Sequence, residues 1–392
     1  MYKLKDEDMR IPTYIWAEKG TIEESAIQQI KNASNLPFAF HHTVLCPDAH
    51  FGYGAPIGGV LATKGYVVVN FVGVDIGCGM CAVKTSLTEL DTDTLKKIMG
   101  EIRKEIPLGF NHHKEKQDEK LMPLVKPSNH DLIVQKEYQN ALYSLGTLGG
   151  GNHFIEIQKG SDGHIWIMVH SGSRNFGLKI AEYYNNLAIN LNGEWFSQIP
   201  KEQELAFLPL DSQEGQDYVK EMNYAVEFAL ANRSLMMDRI LEIFGKEFGP
   251  EDLNDPMINI AHNYARMENH FGQNVMVHRK GSTLADKDTI GIIPGSQGTK
   301  SYIVKGLGNP ESFNSCSHGA GRKMGRNQAI KTLNLEDEIK KLDDQGIVHG
   351  IRNVKDLDEA SGSYKDIKTV MDNQKDLVEI LVELQPLGVI KG

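Results

Sequence analysis

The sequence predicts an α+β fold, a single large mixed-sheet domain carrying glycine-rich loops. Three observations predict it. Strand-like runs are short, rich in Val and Ile and scattered along the chain, and amphipathic helical stretches interrupt them irregularly, unlike a regular βαβ array. No repeat with the ~20–50-residue period of solenoids and propellers is visible. No linker rich in Pro, Ser or Gly divides the 392 residues, so the chain reads as one domain, 1–392.

Taken in order, the first strand-like run is GYVVVN from Gly65. Residues 93–106 place Leu95, Ile98, Met99, Ile102 and Ile106 on one helical face, with Asp93 or Thr94 as the cap. Residues 110–131 are polar and aperiodic and read as a surface loop. HFIEI from His153 and IWIMVH from Ile165 read as strands, and alternation turns His153 and Phe154 to opposite faces. Over about 215–245, Tyr218, Val219, Met222, Ala225, Phe228 and Ala229 recur at helical spacing. VMVH from Val275 reads as a strand, 279–290 as a second surface loop, GII from Gly291 as a strand, and a third helix falls near 366–383.

Composition narrows the function classes. Apolar residues make up 40% of the chain, which excludes a disordered chain. The net charge of −10 argues against coating nucleic acid by bulk charge, though a local basic patch stays open. The opening MYKLKDEDMR carries no apolar run, and no stretch approaches the ~20 apolar residues of a spanning helix. Four cysteines, at 46, 78, 81 and 316, are too few for a disulfide scaffold. The expectation is a cytoplasmic protein with no membrane partner, whose thiols are ligands or packed core groups.

Glycine supplies 38 residues, above the usual ~7%, and gathers in islands at 52–59, 73–79, 146–151, 291–298 and 319–325. Islands of this kind bring main chain close to a ligand. The polar clusters lie in or beside them. GVDIGCGM (73–80) presents Asp75 and Cys78, a carboxylate and a thiol that suit one divalent metal; the thiolate favours Mn, Zn or Fe over Mg or Ca. The competing reading is a tight turn with a buried cysteine. GTLGGGNHFIEI (146–157) presents Asn152, His153 and Glu156, HSGSRNFG begins at His170, and AHNYA contains His262 and Asn263. Each histidine alone is more often a hydrogen-bonded structural residue than a ligand. VHRKGST carries Arg279 and Lys280, a compact cationic pair for phosphate or a solvated turn. Pro294, Gly295, Ser296 and Gln297 open a loop offering N–H groups and a hydroxyl to a phosphate or purine, and SCSHGAGRKMGR (315–326) sets His318 on a glycine turn before Arg322 and Arg326. His318 there suits a general base, a ligand or a nucleophile. Together the residues point to a metal-dependent phosphoryl or nucleotidyl enzyme.

These clusters, in this order, with PDAHFGYGAPIGGV from Pro47 and the terminal Lys391-Gly392, resemble the RtcB family of RNA ligases over nearly the whole chain, GVDIGCGM, GNHFIE and SCSHGAGR being the most specific. The resemblance implies the RtcB-like fold and a ligase using GTP and two manganese ions. It implies that His318 attacks the α-phosphorus of GTP and becomes guanylylated. GMP then passes to an RNA 3′-phosphate, produced where necessary from a 2′,3′-cyclic phosphate. A 5′-hydroxyl end displaces GMP. By motif, Asp75, Cys78, His153, His170 and His262 are the metal ligands, with Cys78 bridging. Asn152, Glu156, Asn263, Pro294, Gly295, Ser296, Gln297, Ser301, His318, Gly319, Ala320, Gly321 and Lys391 fall at GTP-binding positions, and Tyr364 falls near them. Cys81 matches no ligand position and is assigned to the core. RNA with these ends, and an archease-type activator, are the partners the resemblance suggests, in RNA repair or tRNA splicing. A local strip of Arg174, Arg279, Lys280, Arg322 and Arg326 is then expected to grip RNA. A metal-dependent cyclic phosphodiesterase without ligation, or a non-catalytic RNA-end sensor, are the alternatives.

Overall fold

The structure, a computed structural model, describes residues 1–124, 132–249 and 256–392. Two sheets frame it. One has six strands, in spatial order Tyr2–Leu4, Thr13–Ile15, Ala39–His50, Ile57–Thr63, Gln273–Lys280 and Asn263–His270. It is mixed, because Thr13–Ile15 runs parallel to Ala39–His50 while the other pairs are antiparallel. The other has seven strands, in order Ile258–Ala261, Gly79–Lys84, Ile165–Ser171, Phe154–Gly160, Val378–Lys391, Ser301–Gly306 and Ile290–Ile293. All its pairs are antiparallel.

The helix over Thr92–Glu105 buries Leu95, Ile98, Met99 and Ile102. Its cap is Asp91, and not Asp93 or Thr94: the Asp91 carboxylate accepts from the backbone N–H groups of both. The long helix, Gln213–Phe248, packs across the seven-stranded sheet and carries its apolar face on through Met236, Ile240 and Phe244. GYVVVN forms a strand only over Tyr66–Val68, and Val69–Phe71 turns away as a short 3₁₀ segment. The loop expected at 110–131 contains only a 3₁₀ turn at Glu119–Leu121 among its described residues; 125–131 lie outside them. No described helix is long and apolar enough to cross a membrane.

Two expectations are overturned. The helix near 366–383 is confined to Ile367–Asp372, and the chain then forms the strand Val378–Lys391. Periodicity over 366–372 is helical, but Val378, Ile380, Val382 and Leu384 alternate at a spacing of two, and Pro386 would break a helix. Here Pro386 sits where the pairing register shifts. This last strand lies between Phe154–Gly160 and Ser301–Gly306, so the C-terminus is built into the middle of the sheet.

The second is the loop at 279–290. Arg279 and Lys280 end the strand Gln273–Lys280 and are buried, and Ser282–Leu284 pairs with Ser315–Ser317. Arg279 donates to the Glu268 carboxylate, to Ser315 Oγ at 2.9 Å and to the Phe313 carbonyl at 2.8 Å. Lys280 Nζ donates to the carbonyls of Asn70, at 3.0 Å, and Tyr53. Buried carbonyls and a buried carboxylate need donors, and these two cations supply them.

Ile390 is 1% exposed in the core formed by the Thr92–Glu105 helix, the long helix and the seven-stranded sheet. Ile390→Asp buries an unpaired carboxylate there and is expected to cost about 3–5 kcal/mol, read as a lowered urea midpoint.

Candidate functional site

The five residues expected as metal ligands converge. Asp75 and Cys78 sit on the glycine turn before the strand Gly79–Lys84, His170 on the strand Ile165–Ser171, and His262 just after Ile258–Ala261. His153 sits in the turn just before Phe154–Gly160, so strand alternation does not govern it. Phe154 and Glu156 face the neighbouring cavity while Ile155 and Ile157 enter the core.

The side chains form two triads, Asp75–Cys78–His153 and Cys78–His170–His262, and within each the ligand-type atoms lie within 4.8 Å of one another. Cys78 Sγ is common to both, 3.5 Å from His153 Nε2 and 3.3 Å from His170 Nε2. His153 Nε2 is also 3.2 Å from Asp75 Oδ2. His170 Nδ1 lies 3.0 Å from the Asn152 carbonyl, which only accepts, so Nδ1 carries the proton and the Nε2 lone pair faces the sulfur. His262 Nδ1 is buried with no hydrogen-bond partner among the described residues. Burial, followed by neighbouring imidazoles, pushes His170 and His262 well below the ordinary histidine range, so both are neutral and ready to ligate. Burial, then the Asp75 carboxylate, push the Cys78 thiol up. These donors fit divalent cations that tolerate sulfur, nitrogen and oxygen together.

The long helix organises this cluster from behind through Asn232 and Arg233, both fully buried. Arg233 donates to the carbonyls of Gly77 and Ser171, at 2.9 and 2.8 Å, and to that of Ile260 at 3.2 Å. Those carbonyls adjoin Cys78 and His170 and lie two residues before His262. Asn232 accepts from Gly146 N and Thr147 N and donates to Thr147 O and Gly172 O, fixing the glycine loop before His153. Gly149 in that loop has φ +93°, and a Cβ there would lie 2.4 Å from His153 Nδ1 and 2.0 Å from Arg174 Nη1. Arg174 is held by Thr147 Oγ1 at 2.9 Å and the Gly109 carbonyl at 2.7 Å.

His318 stands next to the second triad, its ring 4.8 Å from that of His262. Its Nδ1 lies 2.7 Å from Asp48 Oδ2, and the same oxygen accepts from the backbone N–H of His318 and of Gly319. Burial alone would raise the Asp48 carboxyl, but the His318 imidazole and its hydrogen bond leave it below the ordinary range. An ionised Asp48 fixes the Nδ1–H tautomer and leaves Nε2 as the nitrogen with a free lone pair. Asp48 was not singled out by sequence; the only signal was its place in PDAHFGYG.

A cavity of about 470 Å³ adjoins the cluster, on the scale of one nucleotide-sized ligand. Asn152, Glu156, Pro294, Gly295, Ser296, Gln297, His318, Gly319, Ala320, Gly321, Tyr364 and Lys391 line it, with Phe154 and His170. Ser301 and Asn263 are not in its wall. Ser301 Oγ accepts from Gly295 N at 3.1 Å, and Asn263 donates to the Asp75 carbonyl at 3.0 Å and accepts from Gly281 N at 2.7 Å. Ser301 thus supports the turn that carries the cavity residues Pro294–Gln297, and Asn263 supports the turn that carries Asp75 and Cys78. Glu156 is buried, with Gln158 Nε2 donating to it at 2.7 Å, and burial raises it to about 8. Lys391 Nζ lies 5.7 Å from the Phe154 ring centroid.

The expected basic strip does not form as one surface. Arg279 and Lys280 are buried in the fold, and Arg174, half-buried, is bonded to Thr147 and Gly109. Arg322 and Arg326 flank the cavity, but both bond the buried Glu359 carboxylate, at 2.8 and 2.6 Å. Tyr364 donates to the same carboxylate. Glu359 is a second residue that sequence reasoning missed. Cys81 lies in the core as assigned.

Comparisons with known proteins show what the chain is similar to. A family model described as tRNA-splicing ligase RtcB matches residues 29–132 and 124–392. The chain is 38% identical over 401 residues to the RNA-splicing ligase RtcB of Escherichia coli, covering 97% of each chain. It is 32% identical over 460 residues to the tRNA-splicing ligase RtcB of Methanococcus maripaludis, covering 98% of this chain and 95% of that one.

Because one sulfur serves both triads, Cys78→Ser is expected to weaken binding of divalent cations at both positions, read by isothermal titration with Mn²⁺. Arg233→Lys keeps the charge but cannot reach three carbonyls in fork geometry; a drop of about 10- to 100-fold in cation affinity is expected with the ligands intact.

Proposed function

The chain belongs to the RtcB family, and on that premise we propose that it is a GTP-dependent RNA ligase joining 3′-phosphate or 2′,3′-cyclic phosphate ends to 5′-hydroxyl ends. The observation that carries the proposal is the placement of His318, held as the Nδ1–H tautomer by Asp48, between the sulfur-centred ligand cluster and a nucleotide-sized cavity. The whole chain, 1–392, acts as one cytoplasmic catalytic unit in this reading.

His318 Nε2 forms the bond to the α-phosphorus of GTP as pyrophosphate leaves. Asp48 stabilises the cationic imidazole that results. The GMP passes from His318 to an RNA 3′-phosphate, and the incoming 5′-hydroxyl displaces GMP to leave a 3′,5′-phosphodiester. Asp75, Cys78, His153, His170 and His262 would hold two Mn²⁺ ions, which would supply Lewis acidity to the phosphates. Glu156 accepts from the guanine N1–H and 2-amino group, a donor pair that adenine lacks, and so selects GTP. The Pro294–Gln297 turn and Gly319–Gly321 offer main chain to the nucleotide, and Lys391 brings a cation to it from the C-terminal strand. tRNA halves or damaged tRNA fit as substrates, and an archease-type activator as a partner.

Incubation with α-labelled GTP and Mn²⁺ is expected to give an acid-labile, base-stable label that maps to His318 and disappears in His318→Ala. Asp48→Asn is expected to slow labelling by about 10²- to 10⁴-fold. An unlabelled protein that still opens cyclic ends would be a phosphodiesterase instead.

The Glu156 value gives a pH dependence with a definite sign. Below about 8 the free carboxyl is protonated, and accepting both guanine N–H groups requires the anion. GTP affinity is therefore expected to rise by up to about tenfold per unit as the pH approaches 8, then level off. Calorimetry at saturating cation should show this profile flattened in Glu156→Gln.

A further inference from the structure

The cations around the cavity leave a gap in how RNA is held. Arg322 and Arg326 share the Glu359 carboxylate, Arg279 and Lys280 are buried, Lys323 is the exposed lysine on the cavity wall, and the net charge is −10. Phosphate attraction alone is therefore modest, and a cavity of about 470 Å³ admits a nucleotide but not a polymer. RNA has to be held at the rim.

Phe51 is on that rim. It lines the cavity together with His50 and His318, yet it is 55% exposed, and no ring among the described residues stacks on it. A phenyl ring left in water on a mobile loop needs no explanation, but this loop is fixed. Phe51 N donates to the Glu23 carboxylate, and Gly52 N donates to Gln29 Oε1 at 3.2 Å. Gln29 Nε2 returns a bond to the Gly52 carbonyl at 2.5 Å. The buried Lys280 bonds the Tyr53 carbonyl, and a Cβ on Gly52 would lie 2.5 Å from Ala55 O. The ring is thus presented to solvent by a backbone tied down on both sides of it.

We propose that Phe51 is a stacking platform for a nucleobase at the end of the RNA substrate, positioning that end over His318; this rests on the RNA-ligase reading above. A guanine has its own place at the buried end of the cavity, beside Glu156, where hydrogen-bonding groups are. The rim offers a bare aromatic face, which suits any base and does not depend on sequence. Stacking is also insensitive to the acidic charge that opposes phosphate binding.

The test separates RNA binding from nucleotide chemistry. Phe51→Ala is expected to weaken binding of a labelled single-stranded RNA, and to raise the ligation KM for RNA, by roughly 5- to 150-fold. Guanylylation by GTP and Mn²⁺ without RNA should be unchanged, and Phe51→Trp should restore RNA binding. Phe110, fully exposed but outside the cavity wall, is the control, and Phe110→Ala should leave RNA binding unaltered. An RNA abasic at its 3′-phosphate nucleotide, or one abasic at its 5′-hydroxyl nucleotide, should bind wild type weakly and lose nothing further in Phe51→Ala, which names the strand that stacks. Unchanged RNA affinity in Phe51→Ala, or full additivity with both abasic RNAs, overturns the platform. Loss of guanylylation in Phe51→Ala overturns it too, by assigning the ring to GTP. If wild type takes up no guanylate while Phe51→Ala still loses RNA affinity, the ligase chemistry fails and the platform stands.

Discussion

Arg233 is the constraint on which the site depends. A fully buried guanidinium is costly unless its donors are satisfied, and here the acceptors are the main-chain carbonyls of Gly77, Ser171 and Ile260 together with Asn259 Oδ1. The cation and the carbonyls need one another, so the turns carrying Cys78, His170 and His262 are drawn to a common point on the long helix. Asn232, its neighbour, does the same for the loop that leads to His153. Burial of Arg233 also places a positive charge where it partly offsets the cost of ionising Cys78.

Two histidine environments then diverge within one small region. His170 and His262 are neutral because burial and the neighbouring rings disfavour a further positive charge. His318, one ring away, has the ionised Asp48 carboxylate as its hydrogen-bond partner. The first environment suits ligands, which offer a lone pair and stay neutral. The second suits a group that becomes positively charged when it forms a bond to phosphorus.

The C-terminal strand connects this chemistry to the fold. Val378–Lys391 pairs on one side with Phe154–Gly160, which carries Glu156, and on the other with Ser301–Gly306, which follows the Pro294–Gln297 turn. Lys391 reaches the cavity because the last strand is internal to the sheet, not because a tail folds back over it. The last strand thus contributes both to the cavity wall and to the interior of the seven-stranded sheet.

The sequence by itself determined the α+β class, the long helix, most strands and the identity of the chemical groups, because hydrophobic period, glycine islands and metal-type side chains are local properties. GVDIGCGM, GNHFIE and SCSHGAGR were legible as site segments for that reason. Tertiary structure alone decided that the strand 378–391 lies between Phe154–Gly160 and Ser301–Gly306, two neighbours distant in sequence. It alone decided that Arg279 and Lys280 serve buried acceptors, that Asp48 faces His318 across 270 residues, and that Glu359 gathers two arginines. A charged side chain reads the same in a sequence whether it meets water or a buried counter-charge; only the packed chain supplies its partner, and the partner sets its protonation and its role.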